Sequence, residues 1–382
     1  MMERNVQLNY TEHMKDRLFD VFSSFDDFNE DYSNLIEALN SENMFRSFGE
    51  GLLFVLQRKR PDITLECAVG YIKECCRKTG VPESEIGSIN TLKGYFKDDK
   101  RPKKGEDSRK SLFALAFALE LTPFETAELF QKVYLDRAFD YRSEQDVICY
   151  FCLEHKKTWE DAQRLIESVC CNGANTTDAT LYTAQIKECV ERIVDEAELL
   201  NYIEQHRNNF SKKNVSARNV KENLLHAAQS IAKLEAELPG NEDIYKNSNR
   251  DSLNFLYEVI TGRSVSGEKG TKTLFKNARL PKEIKSRFPE AITLSKKEPT
   301  YEELRKLIIM LFSYVFWFDA QRKSDTWDIE DYKREADVYL DESGFSTLYF
   351  GNPYDWLFLY CTLSDRPLDT FRGALEEILP EE

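Results

Sequence analysis

The sequence contains only four histidines, and no residue pattern around them marks a catalytic site. They are His13, His155, His206 and His226. A nucleophilic site needs a Ser or Cys beside a base, and that grouping is missing at all four. Gly262–Gly270 is rich in glycine but lacks the lysine and hydroxyl residue that directly follow the last glycine of a phosphate-binding loop. We therefore predict no catalytic residue, no cofactor and no resident metal.

Long apolar segments are also missing. The longest, Leu307–Phe318, has twelve residues, whereas a membrane-spanning helix needs about 20, so we interpret it as a buried core helix. Met1–Gln7 contains no apolar stretch of the kind found in a secretory signal. Nine cysteines without such a signal indicate a reducing compartment in which thiols stay free. We expect a cytoplasmic protein with no membrane partner.

Charge is spread unevenly along the 382 residues, whose net charge is −15. Leu56–Lys110 holds fourteen basic and nine acidic residues, a balance of +5, and Arg263–Glu298 holds ten and four, a balance of +6. The remaining residues then carry −26. The sequence therefore predicts two basic patches on an acidic body.

Apolar residues near the N-terminus recur at three- and four-residue steps, which predicts helices. Thr11–Ser23 and Asp31–Leu39 match short helices. Met44–Arg58 matches a third helix, which we expect to be interrupted by Gly49 and Gly51. These helices form a predicted cap on the residues that follow.

Local signals predict where further helices begin and end. The helix over Ile63–Lys78 should stop at Gly80. Thr122–Glu125 has the pattern of a capping box with proline at the first helical position, and Thr158 should cap another helix. Leu181–Gln205 and Ala217–Leu238 are predicted long amphipathic helices, and the apolar stripe of the second favours packing within the chain over a dimer seam.

The basic turn over Lys97–Ser108 follows two short helical pieces within Glu83–Phe96 and precedes an Ala/Leu-rich helix over Arg109–Leu119. With Ser88–Pro102, this succession resembles the second half of a helix-turn-helix domain of the Cro/CI repressor (XRE) class. In that class, the helix before the turn lies in the major groove of DNA. The helices after it resemble those of an uncharacterised family of all-helical Firmicutes proteins.

The resemblance implies a set of nucleic-acid-binding residues. Ser88, Asn90, Thr91 and Tyr95 would face the bases, and Lys97, Lys100, Arg101, Lys103 and Lys104 would contact phosphates. The alternative interpretation is a solvated basic loop on a domain that does not bind DNA.

The last third of the chain repeats the pattern of the first. Glu302–Leu311 aligns with Glu106–Leu115, and Asp355–Cys361 aligns with Asp146–Cys152. The repeat predicts an internal duplication. We therefore predict an all-α protein of two related helical modules joined by long helices. The predicted segments are a helical cap (1–60), a helix-turn-helix-like module with a hairpin extension (61–171), a long-helix connector (178–262) and a second, diverged module (263–382).

Cys149, Cys152 and His155 are side chains of the types that bind zinc, but they lie on one predicted helix. Helical residues six positions apart are separated by about 9 Å along the axis, whereas zinc holds its ligands at about 2.0–2.3 Å. Core packing is therefore favoured, although a site that also uses Cys170 or Cys171 stays open.

Two aromatic clusters, Tyr314–Phe318 and Tyr349–Trp356, allow either core packing or a partner surface. Aromatic residues at helical spacing usually lie in a core. Gly351 and Pro353 instead place the start of the second cluster in a loop.

The leading functional hypothesis is a non-enzymatic nucleic-acid-binding or regulatory protein, with duplex DNA as the partner. It uses Ser88–Lys104, with Lys282–Lys297 as a second basic segment. One alternative is a scaffold or inhibitor that binds a protein partner through its acidic body and aromatic loop. Another is a metal-free ribonuclease, because Arg218 and His226 resemble the Arg/His pairs of certain helical ribonucleases. A homodimer stays open.

Overall fold

The computed structural model describes part of the chain. The described residues are 2–24, 31–39, 41, 44–97, 100–103, 105–171, 181, 183–211, 215–237, 255, 258–259, 272–275, 292–294, 305–309, 311, 328–342 and 345–378. The predicted features outside them are Gly262–Gly270, Tyr314–Phe318, Lys104, most of Lys282–Lys297, and the side chains of Arg218, Cys170 and Cys171.

The protein is all-α, as predicted. The helices of the described part are α1 (Met2–Ser23), α2 (Ser33–Leu39), α3 (Phe48–Lys59), α4 (Leu65–Thr79), α5 (Glu83–Ile86), α6 (Ile89–Lys97), α7 (Glu106–Ala118), α8 (Pro123–Glu128) followed by a π-helix (Leu129–Tyr134), α9 (Glu144–Glu154), α10 (Trp159–Cys171), α11 (Thr183–Arg192), α12 (Glu196–Gln205), α13 (Arg207–Ser211), α14 (Val215–Ala236), α15 (Ile329–Glu342), α16 (Pro353–Cys361) and α17 (Pro367–Ile378). Residues 305–309 are also helical. In the described part, strands are limited to the antiparallel pair β1 (Lys272–Phe275) and β2 (Ile292–Leu294).

The chain forms two compact units, each with its own apolar core. The central unit is Arg46–Ser216, and the terminal unit combines Met1–Phe45 with Ala217–Glu382. This division differs from the four predicted segments, because the first two helices belong with the C-terminal part of the chain. Within the described residues, no helix is long and apolar enough to cross a bilayer.

In the central unit, α3 runs without a break through both of its glycines, so the predicted interruption is wrong. Ser47 and Glu50 cap its first turn reciprocally. A Cβ added at Gly49 would lie 2.1 Å from the carbonyl oxygen of Tyr95, and one added at Gly51 would lie 3.0 Å from the side chain of Val133. The glycines therefore allow α6 and the π-helix to approach the α3 backbone closely.

The local signals for helix ends are confirmed. Helix α4 ends at Gly80, which has a φ of 78°, in the left-handed region that glycine adopts at little cost. Thr122 and Glu125 form both hydrogen bonds of the predicted capping box. The side chains and backbone N–H groups of Thr158 and Asp161 are paired in the same way at the start of α10.

The predicted helix over Leu181–Gln205 is divided into α11 and α12. Asp195 caps α12 by accepting a hydrogen bond from the N–H of Glu198, and Ile193, in the break, is buried. Helix α14 confirms packing within the chain, because Leu224 and Ile231 are buried in the terminal core.

In the terminal unit, α1 packs on α16 and α2 on α17. The indole N–H of Trp356 donates to the carbonyl of Met14 at 3.0 Å. Phe350 of the preceding loop and Tyr354 and Trp356 of α16 are each 3% exposed or less, so all three belong to the core. The core alternative therefore holds for these three aromatics, and the predicted loop ends where Asn352 caps α16.

A buried ion pair joins two helices of the central unit. Arg109 of α7 donates to Asp146 of α9. It also donates to the carbonyls of Arg137 at 2.9 Å and Ala138 at 2.8 Å. Asp146 accepts a further hydrogen bond, of 2.8 Å, from the N–H of Asp140. The pair therefore ties the connection before α9 to α7.

The terminal unit contains a similar set of contacts. Arg305 donates to both carboxylate oxygens of Asp355 at 2.7 and 2.8 Å. It also donates to the carbonyls of Ser346 at 2.7 Å and Thr347 at 2.8 Å. Asp355 accepts from the N–H of Tyr349 at 2.9 Å. The sequence repeat aligns Arg305 with Arg109 and Asp355 with Asp146. An internal duplication would produce this match. The duplication itself stays a prediction.

Candidate nucleic-acid interface

Helix α6 presents one buried and one exposed face. The Ser88 hydroxyl accepts a hydrogen bond of 3.1 Å from the N–H of Thr91 and so fixes the first turn. Leu92 and Phe96 are buried in the central core. Their burial directs the opposite side of the helix outward, as helical periodicity requires.

The exposed side of α6 carries Asn90, Lys93 and Lys97, which we call the α6 face. These residues are three and four positions apart and therefore lie along one stripe of the helix. Asn90 and Lys97 are among the residues predicted from the sequence, whereas Lys93 is not. Lys93 could have been predicted as part of this face from the sequence. It lies three residues after Asn90, on the same side of the helix, and between the apolar residues Leu92 and Phe96.

Tyr95 lies apart from the α6 face. Its ring packs edge-on against Phe48 of α3, with the ring centroids 4.9 Å apart. Burial raises the pKa of the Tyr95 hydroxyl. The side chain that was expected to face DNA therefore helps to hold α6 on α3.

Arg101 is also used within the fold. Its guanidinium donates to the carbonyls of Val133 at 2.9 Å and Tyr134 at 3.3 Å, at the end of the π-helix. The Tyr134 hydroxyl in turn donates to the carbonyl of Lys103 at 2.9 Å. These bonds attach the basic turn to the π-helix, so the half-buried Arg101 does not match the expected exposed phosphate contact.

The other basic residues of the turn lie at the surface. Lys100 is exposed, and its N–H donates to the carbonyl of Gly94 at 3.1 Å. The aliphatic part of Lys100 crosses α6 at Gly94, where an added Cβ would lie 2.9 Å from the Lys100 side chain. Lys103 is exposed as well, whereas Lys104 lies outside the described residues.

The charge of the surface around α6 depends on which of its lysines form ion pairs with acidic residues. Lys73 forms an ion pair with Glu83 at 3.1 Å, and Lys110 forms one with Glu85 at 2.9 Å. Both acidic residues of α5 therefore have a basic partner. The ion pairs of the described part include neither lysine of the α6 face, Lys93 or Lys97. Both lysines are exposed.

A helix-turn-helix sets a positioning helix against the recognition helix. Helix α5, which precedes α6, has four residues, and Gly87 separates the two helices. The helix of full length before α6 is α4, which contacts both α6 and α7. Positioning of α6 therefore depends on α3 and α4.

Comparisons with protein-family models, with curated proteins and with solved structures found no match. The case for a function therefore rests on the geometry of the chain itself.

The cysteines considered as zinc ligands lie in the central core. Cys149 and Cys152 are 2% and 0% exposed. Burial raises the pKa of the Cys152 thiol to about 12 and that of the Cys149 thiol well above its usual value. Nε2 of His155 lies 3.1 Å from the carbonyl of Ile193 instead. Within the described residues, no cluster of metal-binding side chains forms.

The ribonuclease hypothesis depends on Arg218 and His226, of which the structure describes only the side chain of His226. His226 lies exposed on α14. The side chain of Arg218 lies outside the described residues, so the pairing of Arg218 with His226 stays a prediction.

Proposed function

We propose that this protein is a non-enzymatic regulator that binds nucleic acid, and duplex DNA in particular, through the α6 face. The observation that carries the proposal is the stripe of Asn90, Lys93 and Lys97 on the exposed face of α6, whose two lysines form no ion pair in the described part of the chain. The neighbouring acidic residues Glu83 and Glu85 are held in ion pairs of their own.

The chemistry of the α6 face suits DNA. The major groove admits an α-helix, and a carboxamide such as that of Asn90 can bond the edge of adenine through two hydrogen bonds. Asn90 lies in the first turn of α6, which is where recognition helices make most base contacts. Lys93, Lys97 and Lys103 would contact phosphates, which gives affinity without sequence specificity.

Two charge-reversal variants test this proposal. In the first, Lys93→Glu and Lys97→Glu change the α6 face. In the control, Lys156→Glu and Lys187→Glu change two exposed lysines elsewhere in the central unit, so the net charge changes equally. Arg101 stays intact because it supports the fold.

We expect the wild type and the control to bind duplex DNA at low salt and the α6 variant to bind at least about tenfold more weakly. The slope of log affinity against log salt should become shallower by about two, one for each lost phosphate contact. Equal binding by the two variants would contradict the proposal. A wild type that binds neither DNA nor RNA, but that copurifies with a stoichiometric protein partner, would favour the scaffold hypothesis.

The proposal includes a cytoplasmic location. The described cysteines are Cys67, Cys75, Cys76, Cys149, Cys152, Cys189 and Cys361, and all are free thiols. Free thiols are typical of reducing compartments.

A further inference from the structure

A cavity of about 120 Å³ lies in the central unit between α3, α5, α6 and α7. Most of its wall consists of apolar side chains, which are Phe48, Leu52, Ile86, Leu92, Leu112 and Leu115. Its volume is of the order of an apolar cavity of about 150 Å³ that accommodates benzene in another protein. The cavity is therefore large enough for one small ring or a branched aliphatic group.

The remaining wall is polar and comes mainly from one side of α7. Asp107, Ser108 and Ser111 line the cavity together with Tyr95 and Pro102. The two serines are half-buried and the aspartate is exposed. Within the described part of the chain, the side chains of these three α7 residues form no hydrogen bond or ion pair. One side of α7 thus brings to the cavity three polar groups that have no partner in the described part of the chain.

This combination is typical of small-molecule sites, which are mostly apolar with a few polar groups that orient the ligand. The polar wall has one carboxylate, the hydroxyls of two serines and the phenol of Tyr95, and no lining residue is basic. A carboxylate accepts hydrogen bonds and attracts a cation, whereas it repels an anion. The complementary ligand has an apolar body and a positively charged hydrogen-bond donor at one end.

We propose that the cavity between α3, α6 and α7 binds a small primary amine whose body is a single ring or branched aliphatic group. The ammonium group contacts Asp107 and the hydroxyls of Ser108 and Ser111, and the apolar body contacts Leu92 and Leu112. The proposal goes beyond nucleic-acid binding and does not depend on it, because its readout is ligand binding alone.

Benzylamine is the probe, and benzyl alcohol and benzoate are its neutral and anionic counterparts. Binding to the full chain is measured by calorimetry and by ligand-observed NMR. We expect saturable binding of benzylamine, weaker binding of benzyl alcohol and no binding of benzoate.

Two variants and one control locate the site. Asp107→Asn should weaken benzylamine binding by about fivefold, the effect of a partly exposed ion pair, without affecting benzyl alcohol. Glu160→Gln is the control, because Glu160 is also an exposed acidic residue in the first turn of a helix. Ser111→Trp should fill the space beside the polar wall and abolish binding of both ligands, and thermal unfolding checks that each variant is folded.

If Ser111→Trp does not fold, Ser111→Leu tests the same point with a smaller side chain. No saturable binding of benzylamine to the wild type would overturn the proposal. The same holds if Asp107→Asn and Glu160→Gln bind benzylamine equally, or if benzoate binds as well as benzylamine. Because none of these measurements involves DNA, failure of this proposal is distinguishable from failure of the α6 face to bind nucleic acid.

Discussion

At the scale of the residue, Gly49 determines how closely α6 can approach α3. A Cβ at this position would lie 2.1 Å from the carbonyl oxygen of Tyr95, which is a backbone atom and cannot rotate away. Alanine would therefore force the two helices apart. Such overpacking typically costs about 1–3 kcal/mol.

We predict that Gly49→Ala lowers the free energy of unfolding by about 2 kcal/mol. The matched control is Gly70→Ala, because Gly70 lies exposed in α4 and an added Cβ would meet nothing within 4 Å. That change should stabilise the protein by about 0.5–1 kcal/mol through helix propensity. Urea unfolding measures both values, and equal effects of the two substitutions would contradict this account of Gly49.

Glu128 is the residue that most clearly links pH to stability. Burial raises its pKa, but hydrogen bonds from Lys132 at 2.7 Å and Arg58 at 2.5 Å outweigh burial and lower the pKa overall. Because the folded pKa is below the unfolded value of about 4.3, this contribution to stability is present above that pH. It is lost as the pH falls through the folded pKa.

We predict that Glu128→Gln destabilises the protein by about 1–2 kcal/mol at neutral pH, as expected for lost hydrogen bonds to a charged group. The difference from wild type should shrink as the pH falls below about 4. Glu188→Gln, which removes an exposed carboxylate paired with Arg192, should have almost no effect. Chemical denaturation at several pH values measures the difference. A difference that does not change with pH would show that the charge of Glu128 is not its cause.

At the scale of the element, the buried pair of Arg109 and Asp146 holds α7 against the connection before α9. Removing one partner leaves an uncompensated buried charge, which costs about 3–5 kcal/mol. Removing both and substituting apolar groups recovers much of that cost. The two substitutions should therefore be strongly non-additive.

We predict that Arg109→Met lowers the free energy of unfolding by about 3–5 kcal/mol. Adding Asp146→Leu should restore part of this loss instead of increasing it. A double-mutant cycle by urea unfolding gives the coupling energy. The same cycle with Arg305→Met and Asp355→Leu should give a coupling of the same sign, because that pair is also a buried arginine and carboxylate. Additive effects in either unit would contradict this role of the pair.

Helix ends could be predicted from the sequence, because their interactions are local. Thr122 and Glu125 are three residues apart, so the sequence alone contains both partners of the cap. The contacts of Arg101 with Val133 and of Gly49 with Tyr95 join residues more than thirty positions apart. Spacing along the chain carries no signal for such contacts. The sequence therefore shows which residues of the segment are basic but could not distinguish its exposed lysines from an arginine used within the fold.

The break between α11 and α12 was predictable in part. Asp195 and Glu198 have the spacing of a helix start. The apolar periodicity, however, continues across them and predicts one uninterrupted helix. The assignment of α1 and α2 to the terminal unit was not predictable, because Met14 and Trp356 meet only after the chain has folded.

At the scale of the whole molecule, the two units differ in how their chain is arranged. The central unit is a single continuous segment with its own core, whereas the terminal unit needs residues from both ends of the chain. In the terminal unit, α1 covers α16 and accepts the hydrogen bond of Trp356 at the carbonyl of Met14. A fragment without α1 and α2 would expose that apolar surface to water.

We predict that a fragment of residues 46–216 folds alone with one cooperative transition, and that a fragment of residues 217–382 does not. Far-UV circular dichroism during urea titration distinguishes a sigmoidal transition from gradual loss of helix. Adding a peptide of residues 1–45 to the second fragment should restore cooperativity, because the peptide supplies the missing part of the core. A peptide with Met14→Asp is the control, since a charge at a position 1% exposed would prevent packing. If residues 217–382 unfold cooperatively without the peptide, α1 and α2 are dispensable to that core and the terminal unit does not depend on both ends of the chain.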